Sequence, residues 1–191
     1  MIDRLILASS SPQRSQLLRS IGVNFEVIPS HVDEDIHPEK DPLVRSQTLA
    51  RLKAEDVATM HSGRFVLGAD TLVVSPRGTL LEKPKDANEA RSMISEQSGG
   101  ISIVHSSLCL IDANGDLHEA TNSSYVHFAK LSGDQINWWI STHLWQGRSG
   151  GFQIDGLGQL LIEKIEGDWT GVVGLPIFLF GKIAKNAGFQ I

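Results

Sequence analysis

The stretch Leu5-Ile6-Leu7-Ala8-Ser9-Ser10-Ser11-Pro12-Gln13-Arg14 joins an apolar segment, a run of serines and the start of a helix. The apolar part predicts a buried strand. Ser11 suits a helix N-cap, and Pro12 suits the first helical turn because its missing N–H would be unpaired there. A helix that follows its strand directly points its unpaired N–H groups back at the strand end, where a phosphate can bind. The serine hydroxyls and Arg14 complete such a site, although the same residues also fit an ordinary capped helix.

Apolar strands and amphipathic helices alternate along the rest of the 191-residue chain. The pattern predicts a strand near 4–8 and a helix near 12–21, then further strands near 24–28, 64–74, 101–112, 117–129 and 159–165, and further helices near 42–60, 86–97, 131–142 and after Pro176. The strand over 64–74 is expected to break at Gly68-Ala69-Asp70-Thr71. This alternation favours an α/β domain, and the hairpin signal Asn114-Gly115 predicts a mixed sheet. We expect one domain over residues 1–191.

Composition narrows the classes of partner. The net charge of -5 argues against nucleic acid, because phosphate backbones are bound by basic protein faces. No apolar run approaches the ~18 residues of a membrane span, so we expect no membrane partner and a cytoplasmic location. The single cysteine, Cys109, excludes an internal disulfide.

Asp70 is the strongest candidate for a catalytic group. It follows an apolar run and two small residues, so its carboxylate is expected at the carboxyl end of a strand, where open α/β sheets bind ligands. An aspartate that caps a turn fits the same pattern. Nearby, Glu82-Lys83-Pro84 offers a lysine that suits phosphate as a mobile point charge. Arg51 and Lys53 are two residues apart on one predicted helix, so only one of them can face inwards.

Two other chemistries have weaker support. Gly147-Arg148-Ser149-Gly150-Gly151 matches the nucleophile-elbow pattern of serine hydrolases, but no apolar strand precedes it and no helical pattern follows. The sequence contains no His-x-x-x-His pair, so a metal would be held by carboxylates, which suits Mg²⁺ or Mn²⁺ bridging to substrate phosphates. The available carboxylates are Asp33, Glu34 and Asp70.

Short motifs recur in a fixed order along the chain: Leu7-Ala8-Ser9-Ser10-Ser11-Pro12-x-Arg14, Val32-Asp33-Glu34, Leu49-Ala50-Arg51-x-Lys53-Ala54, Gly68-Ala69-Asp70-Thr71, Glu82-Lys83-Pro84 and Val172-Val173-Gly174-Leu175-Pro176. Together they closely resemble the Maf family of nucleoside triphosphate pyrophosphatases, and the likeness covers almost the whole chain. Each motif is weak alone, but the set in register is highly specific.

The resemblance implies a mixed central β-sheet flanked by helices, with two lobes around a deep cleft as in the inosine triphosphatases, and a homodimer. It also implies metal-dependent cleavage, with Mg²⁺ or Mn²⁺, of a nucleoside triphosphate to the monophosphate and pyrophosphate. It assigns proton acceptance to Asp70, metal binding to Glu34 and Asp70, and substrate binding to Ser9, Arg14, Lys53 and Lys83. Water attack at the α-phosphorus needs such a carboxylate and such cations.

Three positions bear on the choice of base. Members that favour pyrimidine triphosphates resemble one another in carrying arginine, threonine and glutamine where this chain has Gln13, Thr71 and Asp155. Members that act on 7-methyl-GTP carry tryptophan, glutamine and glutamate there, so the chain matches neither set. A carboxylate can accept from the N–H groups of guanine, whereas the carbonyls of uracil and thymine would repel it, and Asp155 therefore favours 7-methyl-GTP.

A different class of function stays open at this point. The resemblance also suggests a nucleotide-binding regulator of septum formation and cell division, with little or no hydrolysis. Asp70 separates the two hypotheses, because a protein that only binds nucleotide has no need of a general base.

Overall fold

The structure is a computed structural model that describes residues 5–34 and 38–191. Over these ranges the strands are β1 (Leu5–Leu7), β2 (Phe25–Val27), β3 (Val66–Val74), β4 (Leu80–Leu81), β5 (Ile101–Ile111), β6 (Leu117–Phe128) and β7 (Ile162–Glu166). The helices are α1 (Pro12–Ser20), α2 (Pro42–Ala58), α3 (Ala87–Gln97), α4 (Gly133–Ser141), α5 (Trp169–Val173) and α6 (Ile177–Asn186). Ser149–Gly151 and Gly156–Leu161 form short 3₁₀ helices.

All strands belong to one mixed sheet, which confirms the predicted fold class. The order is β2-β1-β3-β5-β6-β7, with β4 also paired to β3. β1 runs parallel to β2 and β3, and the other pairs are antiparallel. β1 pairs with the start of β3 and β4 pairs with its end, so among the described residues positions 68–72 have a strand neighbour only in β5. This open edge of β3 provides room for a site.

Helices cover both faces of the sheet. α2 packs on one face through Ala50, Ala54 and Val57. On the opposite face, α1 and α6 form one buried cluster with the β1 end of the sheet, and α3 and α4 form a second cluster farther along. These two helical groups are the lobes that the resemblance implies.

β3 differs from its prediction, because it runs unbroken from Val66 to Val74. Asp70 pairs with Ser107 of β5 and therefore lies in mid-strand, not at a carboxyl end. Gly68 does not break the strand. A Cβ at this position would collide with the carbonyl oxygen of Ala50 and the backbone nitrogen of Ala54, so the glycine lets α2 approach β3 closely.

The other elements lie close to their predicted bounds. Asp86 caps α3, and Ser132 caps α4 in a reciprocal capping box with Gln135. β7 begins at Ile162, because the residues before it form a 3₁₀ helix. The pattern missed β4 and α5, which are too short to show periodicity. Within 5–34 and 38–191, no helix is both long and apolar enough to cross a bilayer.

Candidate active site

A cavity of about 870 Å³ borders the open edge of β3. This is within the usual size range of small-molecule sites. Its walls come from the end of β1, the start of α1, the loop after β2, α2, residues 82–85, the loop over 147–155 and the end of α5. The structure brings the residues assigned to catalysis, substrate, metal and base choice to this one cavity: Ser9, Gln13, Arg14, Glu34, Lys53, Asp70, Thr71, Lys83 and Asp155. Asp33, the third carboxylate considered for a metal, does not line it.

A buried ion pair lies at the base of the cavity. Lys53 Nζ lies 2.6 Å from Asp70 Oδ1 and 2.9 Å from Glu34 Oε1. Lys53 is 5% exposed and Asp70 is 2% exposed. As the two-residue spacing requires, Arg51 points the other way, where its exposed guanidinium makes a bidentate pair with Glu119.

Within the described residues, Asp70 has a hydrogen-bond partner for one of its two carboxylate oxygens. Oδ1 accepts from Lys53, whereas the buried Oδ2 has no hydrogen-bond partner among residues 5–34 and 38–191. A buried polar atom without a partner is costly, and most such atoms in native proteins meet water, an ion or a ligand. In a ligand-sized cavity, Oδ2 is therefore available to a bound group.

Cations dominate the electrostatics around Glu34. Desolvation raises the pKa of this carboxyl, but the charges of Lys53, Lys83 and Arg14, with the Lys53 hydrogen bond, outweigh it, so the pKa lies below its ordinary value. Glu34 is consequently ionised at neutral pH. Together, the ionised Glu34 carboxylate and the Asp70 carboxylate are hard oxygen donors of the kind that Mg²⁺ or Mn²⁺ takes.

The two carboxylates fit a divalent cation that receives further ligands from water and substrate. No group of three or more His, Cys, Asp or Glu side chains placed to hold a metal occurs among residues 5–34 and 38–191. Mg²⁺ in nucleotide enzymes commonly uses one or two carboxylates plus substrate phosphates. The donor set here therefore suits a cation that arrives with the triphosphate.

Arg14 is fixed by three contacts at the start of α1. Its Nε donates to the Gly174 carbonyl at 2.9 Å, Nη1 to Ser9 Oγ at 2.9 Å and Nη2 to Thr71 Oγ1 at 3.3 Å. Burial lowers the pKa of Arg14 despite the opposing charges of Asp70 and Glu34, but an arginine stays protonated at neutral pH. The result is an oriented cation beside the helix N-terminus predicted to bind phosphate.

The N-terminus of α1 has the predicted cap. Ser11 is the N-cap residue, and its Oγ accepts from the backbone N–H of Arg14 at 3.5 Å. The same hydroxyl donates to Gln13 Oε1 at 3.1 Å. Gln13 is therefore held against the serine turn at the cavity wall.

Lys83 and Asp155 line other parts of the cavity wall. Lys83 is exposed, and its charge contributes to the lowered pKa of Glu34. Asp155 precedes the 3₁₀ helix Gly156–Leu161, but its side chain makes no capping hydrogen bond there. Asp155 therefore does not act as a side-chain cap of this helix, because the hydrogen bond that such a cap makes is not formed.

Sequence reasoning missed some residues that shape the cavity. Arg45 lies on the same wall as Lys53 and contacts the Glu34 loop. Its position two helical turns before Lys53 was a usable signal, since residues at that spacing share a helix face. Gly174 stands in the motif over 172–176, but the role of its carbonyl in orienting Arg14 belongs to the backbone, so the residue type did not indicate it. Ser149 also lines the cavity, but it lies in a 3₁₀ helix and not at a strand-to-helix elbow.

The fold and the cavity together define a class: an α/β protein whose cleft presents carboxylates and cations suited to nucleotide phosphates. Comparison with known proteins agrees. The profile of the family described as Maf-like protein matches residues 4–187. The chain therefore belongs to the Maf family, and it is a nucleotide pyrophosphatase, a hydrolase.

Two curated relatives show the extent of the match. A dTTP/UTP pyrophosphatase of Pyrococcus furiosus is 42% identical over 187 residues, covering 96% of this chain and 95% of that protein. A dTTP/UTP pyrophosphatase of Syntrophus aciditrophicus is 38% identical, covering 98% of this chain and 92% of that protein. A HAM1 protein structure from Coxiella burnetii shares the fold at 12% identity and a TM-score of 0.50, covering 98% of this chain and all of that one.

Proposed function

We propose that this cavity hydrolyses the bond between the α- and β-phosphates of a nucleoside triphosphate, with Asp70 as the general base. The observation that carries the proposal is the buried Oδ2 of Asp70, to which no described residue donates a hydrogen bond, beside the Lys53 ammonium. Lys53 holds one carboxylate oxygen and fixes the orientation of the group. The other oxygen is left to accept a proton from water.

In the proposed step, a water oxygen forms a bond to the α-phosphorus and gives its proton to Asp70. The bond from that phosphorus to the bridging oxygen breaks, and pyrophosphate leaves with the electron pair. Arg14, Lys53 and Lys83 stabilise the charge that develops on the phosphate oxygens. The fixed contacts of Arg14 keep its guanidinium oriented before substrate binds.

Glu34 and Asp70 are the residues that would hold the divalent cation, Mg²⁺ or Mn²⁺. When bound, the cation would supply Lewis-acid stabilisation of negative charge on the phosphates. Because Lys53 already bonds to both carboxylates, it limits their mutual repulsion when the cavity is empty.

For the base, we propose the pyrimidine triphosphates dTTP and UTP, and no longer 7-methyl-GTP. The two relatives reported above are named for dTTP and UTP, and Thr71 matches the pyrimidine set of the resemblance. Asp155 is compatible with this choice, because uracil and thymine carry one N–H between their two carbonyls and a carboxylate can accept from it. The carbonyls of uracil and thymine would repel a carboxylate, but the N–H between them offers it a donor.

The test is pyrophosphate release from a panel of canonical, methylated and deaminated triphosphates, with Mg²⁺ or Mn²⁺. We expect the highest kcat/KM for dTTP or UTP. A highest value for 7-methyl-GTP would overturn the proposed base. Tight nucleotide binding with no pyrophosphate from any substrate would overturn the hydrolytic function and favour the septum-formation regulator.

Asp155→Gln tests whether this position reads the base. An amide can donate to a carbonyl and accept from an N–H, whereas a carboxylate can only accept. We expect kcat/KM for dTTP or UTP to rise about tenfold relative to 7-methyl-GTP, and Gln13→Arg to move the ratio further the same way. Glu163→Gln, an exposed carboxylate on β7, is the matched control. An unchanged ratio in Asp155→Gln would place Asp155 away from the base.

The homodimer, the cytoplasmic location and the absence of nucleic-acid partners stay predictions. Size-exclusion chromatography with light scattering measures the first directly. A monomer at micromolar concentration would contradict it.

A further inference from the structure

Arg45 on α2 is a cavity cation that the proposed reaction does not use. Its side chain is 12% exposed, and it lines the same wall as Leu49 and Lys53. A charged side chain this close to burial is unusual unless its partners require it.

The Arg45 guanidinium joins two segments of the cavity. Nη2 donates to the Glu34 carbonyl oxygen at 3.0 Å and to Glu82 Oε1 at 3.1 Å. Glu34 is the last residue of the described range 5–34, in the loop that follows β2, and its carboxylate reaches Lys53. α2 therefore holds Glu34 twice, by the backbone through Arg45 and by the side chain through Lys53.

Glu82 extends this connection to the opposite wall. It precedes Lys83, and its backbone carbonyl accepts from the N–H of Gly150 at 3.0 Å. The loop over 147–155, which carries Asp155, is thereby linked to the same segment. One guanidinium thus lies where three walls of the cavity meet.

We infer that Arg45 is a positioning residue: by binding the Glu34 carbonyl and the Glu82 carboxylate, it holds Glu34 and Lys83 in register with Asp70. The inference rests on the proposed function for its effect on turnover, but its structural part stands on the contacts alone. Both hydrogen bonds come from Nη2, at the tip of the long arginine side chain. A lysine ammonium also has donors for two acceptors, but it ends a shorter stem and would reach them less well. The buried Nε of Arg45 has no hydrogen-bond partner in the described part of the chain, so the contacts shown do not simply maximise stability.

The experiment compares Arg45→Met and Arg45→Lys with Arg51→Met. Arg51 is the matched control, because it is also an α2 arginine paired with a glutamate, Glu119 on β6, but it lies outside the cavity. The first readout is amide hydrogen exchange of residues 29–34, measured without nucleotide or metal. The second is the separate measurement of kcat and KM for the best triphosphate.

We expect Arg45→Met to speed exchange over 29–34 and to lower kcat by about ten- to a hundredfold, in the range seen when the partners of site ligands are removed. KM should change less than kcat, because both hydrogen bonds of Arg45 go to protein groups. Arg45→Lys should recover part of both losses. Arg51→Met should leave both readouts at wild-type values.

Two results would overturn the inference. Wild-type exchange and kcat in Arg45→Met would show that the contacts position nothing. A rise in KM with unchanged exchange would show that Arg45 binds phosphate directly. If Arg45→Met does not fold, Arg45→Lys decides: intermediate exchange and kcat support the role, and wild-type values contradict it. Failure of the proposed function is distinct, since a wild-type protein that releases no pyrophosphate leaves the exchange comparison intact.

Discussion

Asp70 and Asp112 are two buried carboxylates of the same sheet region with opposite surroundings. They are 2% and 7% exposed. Asp112 follows β5, where Oδ1 accepts the N–H groups of Asn114 and Asp116 at 2.8 and 3.0 Å and Oδ2 lies 3.0 Å from His118 Nε2. Asp70 has Lys53 on one oxygen, and none of the described residues hydrogen-bonds the other. A carboxylate whose oxygens are all used anchors a hairpin, whereas one left incomplete is available for chemistry.

The largest effect is expected from Asp70→Asn. The amide keeps the shape and still accepts from Lys53, which Glu34 continues to neutralise, so the fold should persist. Loss of a general base typically costs ~10²–10⁴-fold in rate. Initial rates at saturating metal and circular dichroism check both parts. Retention of more than about a third of the wild-type rate, far short of that loss, would remove Asp70 from the role of base.

Arg14→Ala and Lys83→Ala extend the comparison from carboxylates to cations. Arg14 has several protein partners and yet is assigned to substrate binding. Its guanidinium keeps N–H groups that those partners do not use. We expect Arg14→Ala to weaken triphosphate binding by about ten- to a hundredfold and exposed Lys83→Ala to weaken it less. Calorimetry compares triphosphate with nucleoside. Equal losses for both ligands would contradict a phosphate role.

The smallest effect on turnover is expected from Asp112→Asn. This is the same chemical change at the carboxylate whose two oxygens both have partners. Unfolding free energy should fall by about 1 kcal/mol, while kcat should stay at the wild-type value. Thermal melts and initial rates measure the two. A rate loss comparable with that of Asp70→Asn would break the distinction between the two aspartates.

Lowering the pH tests how much Asp112 stabilises the folded protein. Desolvation raises the pKa of Asp112, but the hydrogen bonds from His118 and the turn N–H groups outweigh it, so the folded pKa lies below its ordinary value. The stabilisation is therefore complete above the unfolded pKa, near pH ~4, and is lost as pH falls through the folded pKa. The Tm difference between wild type and Asp112→Asn should shrink over that range. A Tm difference that grows as the pH falls would contradict the lowered pKa of Asp112.

Periodicity was enough to predict most of the fold, because each long helix and strand carries its own apolar pattern. The motifs likewise predicted which residues meet in the cavity. Asp70 shows where local reasoning failed. The small residues before it indicated a strand break, but Gly68 is small because α2 packs against it. Local sequence does not encode the distance between a helix and a strand that are distant in the chain.

The base preference could not be predicted for a different reason. Asp155 can accept from a guanine edge or from the N–H of a pyrimidine, so the residue type alone fits both. Arg45 was missed because its role depends on a backbone carbonyl and on Glu82, which lies 37 residues away. Long-range contacts of one side chain leave no periodic signal in the sequence.

The close approach at Gly68 has a consequence for how the site responds to charge. Lys53 belongs to the helix and Asp70 to the strand that meet at this glycine, so main-chain packing fixes the separation of their charged ends. Fixed dipoles and charges need little rearrangement when a transition state forms, whereas mobile ones must first reorient. A methyl group at position 68 would push α2 away from β3. Both charges would remain, but their preorganised separation would be lost.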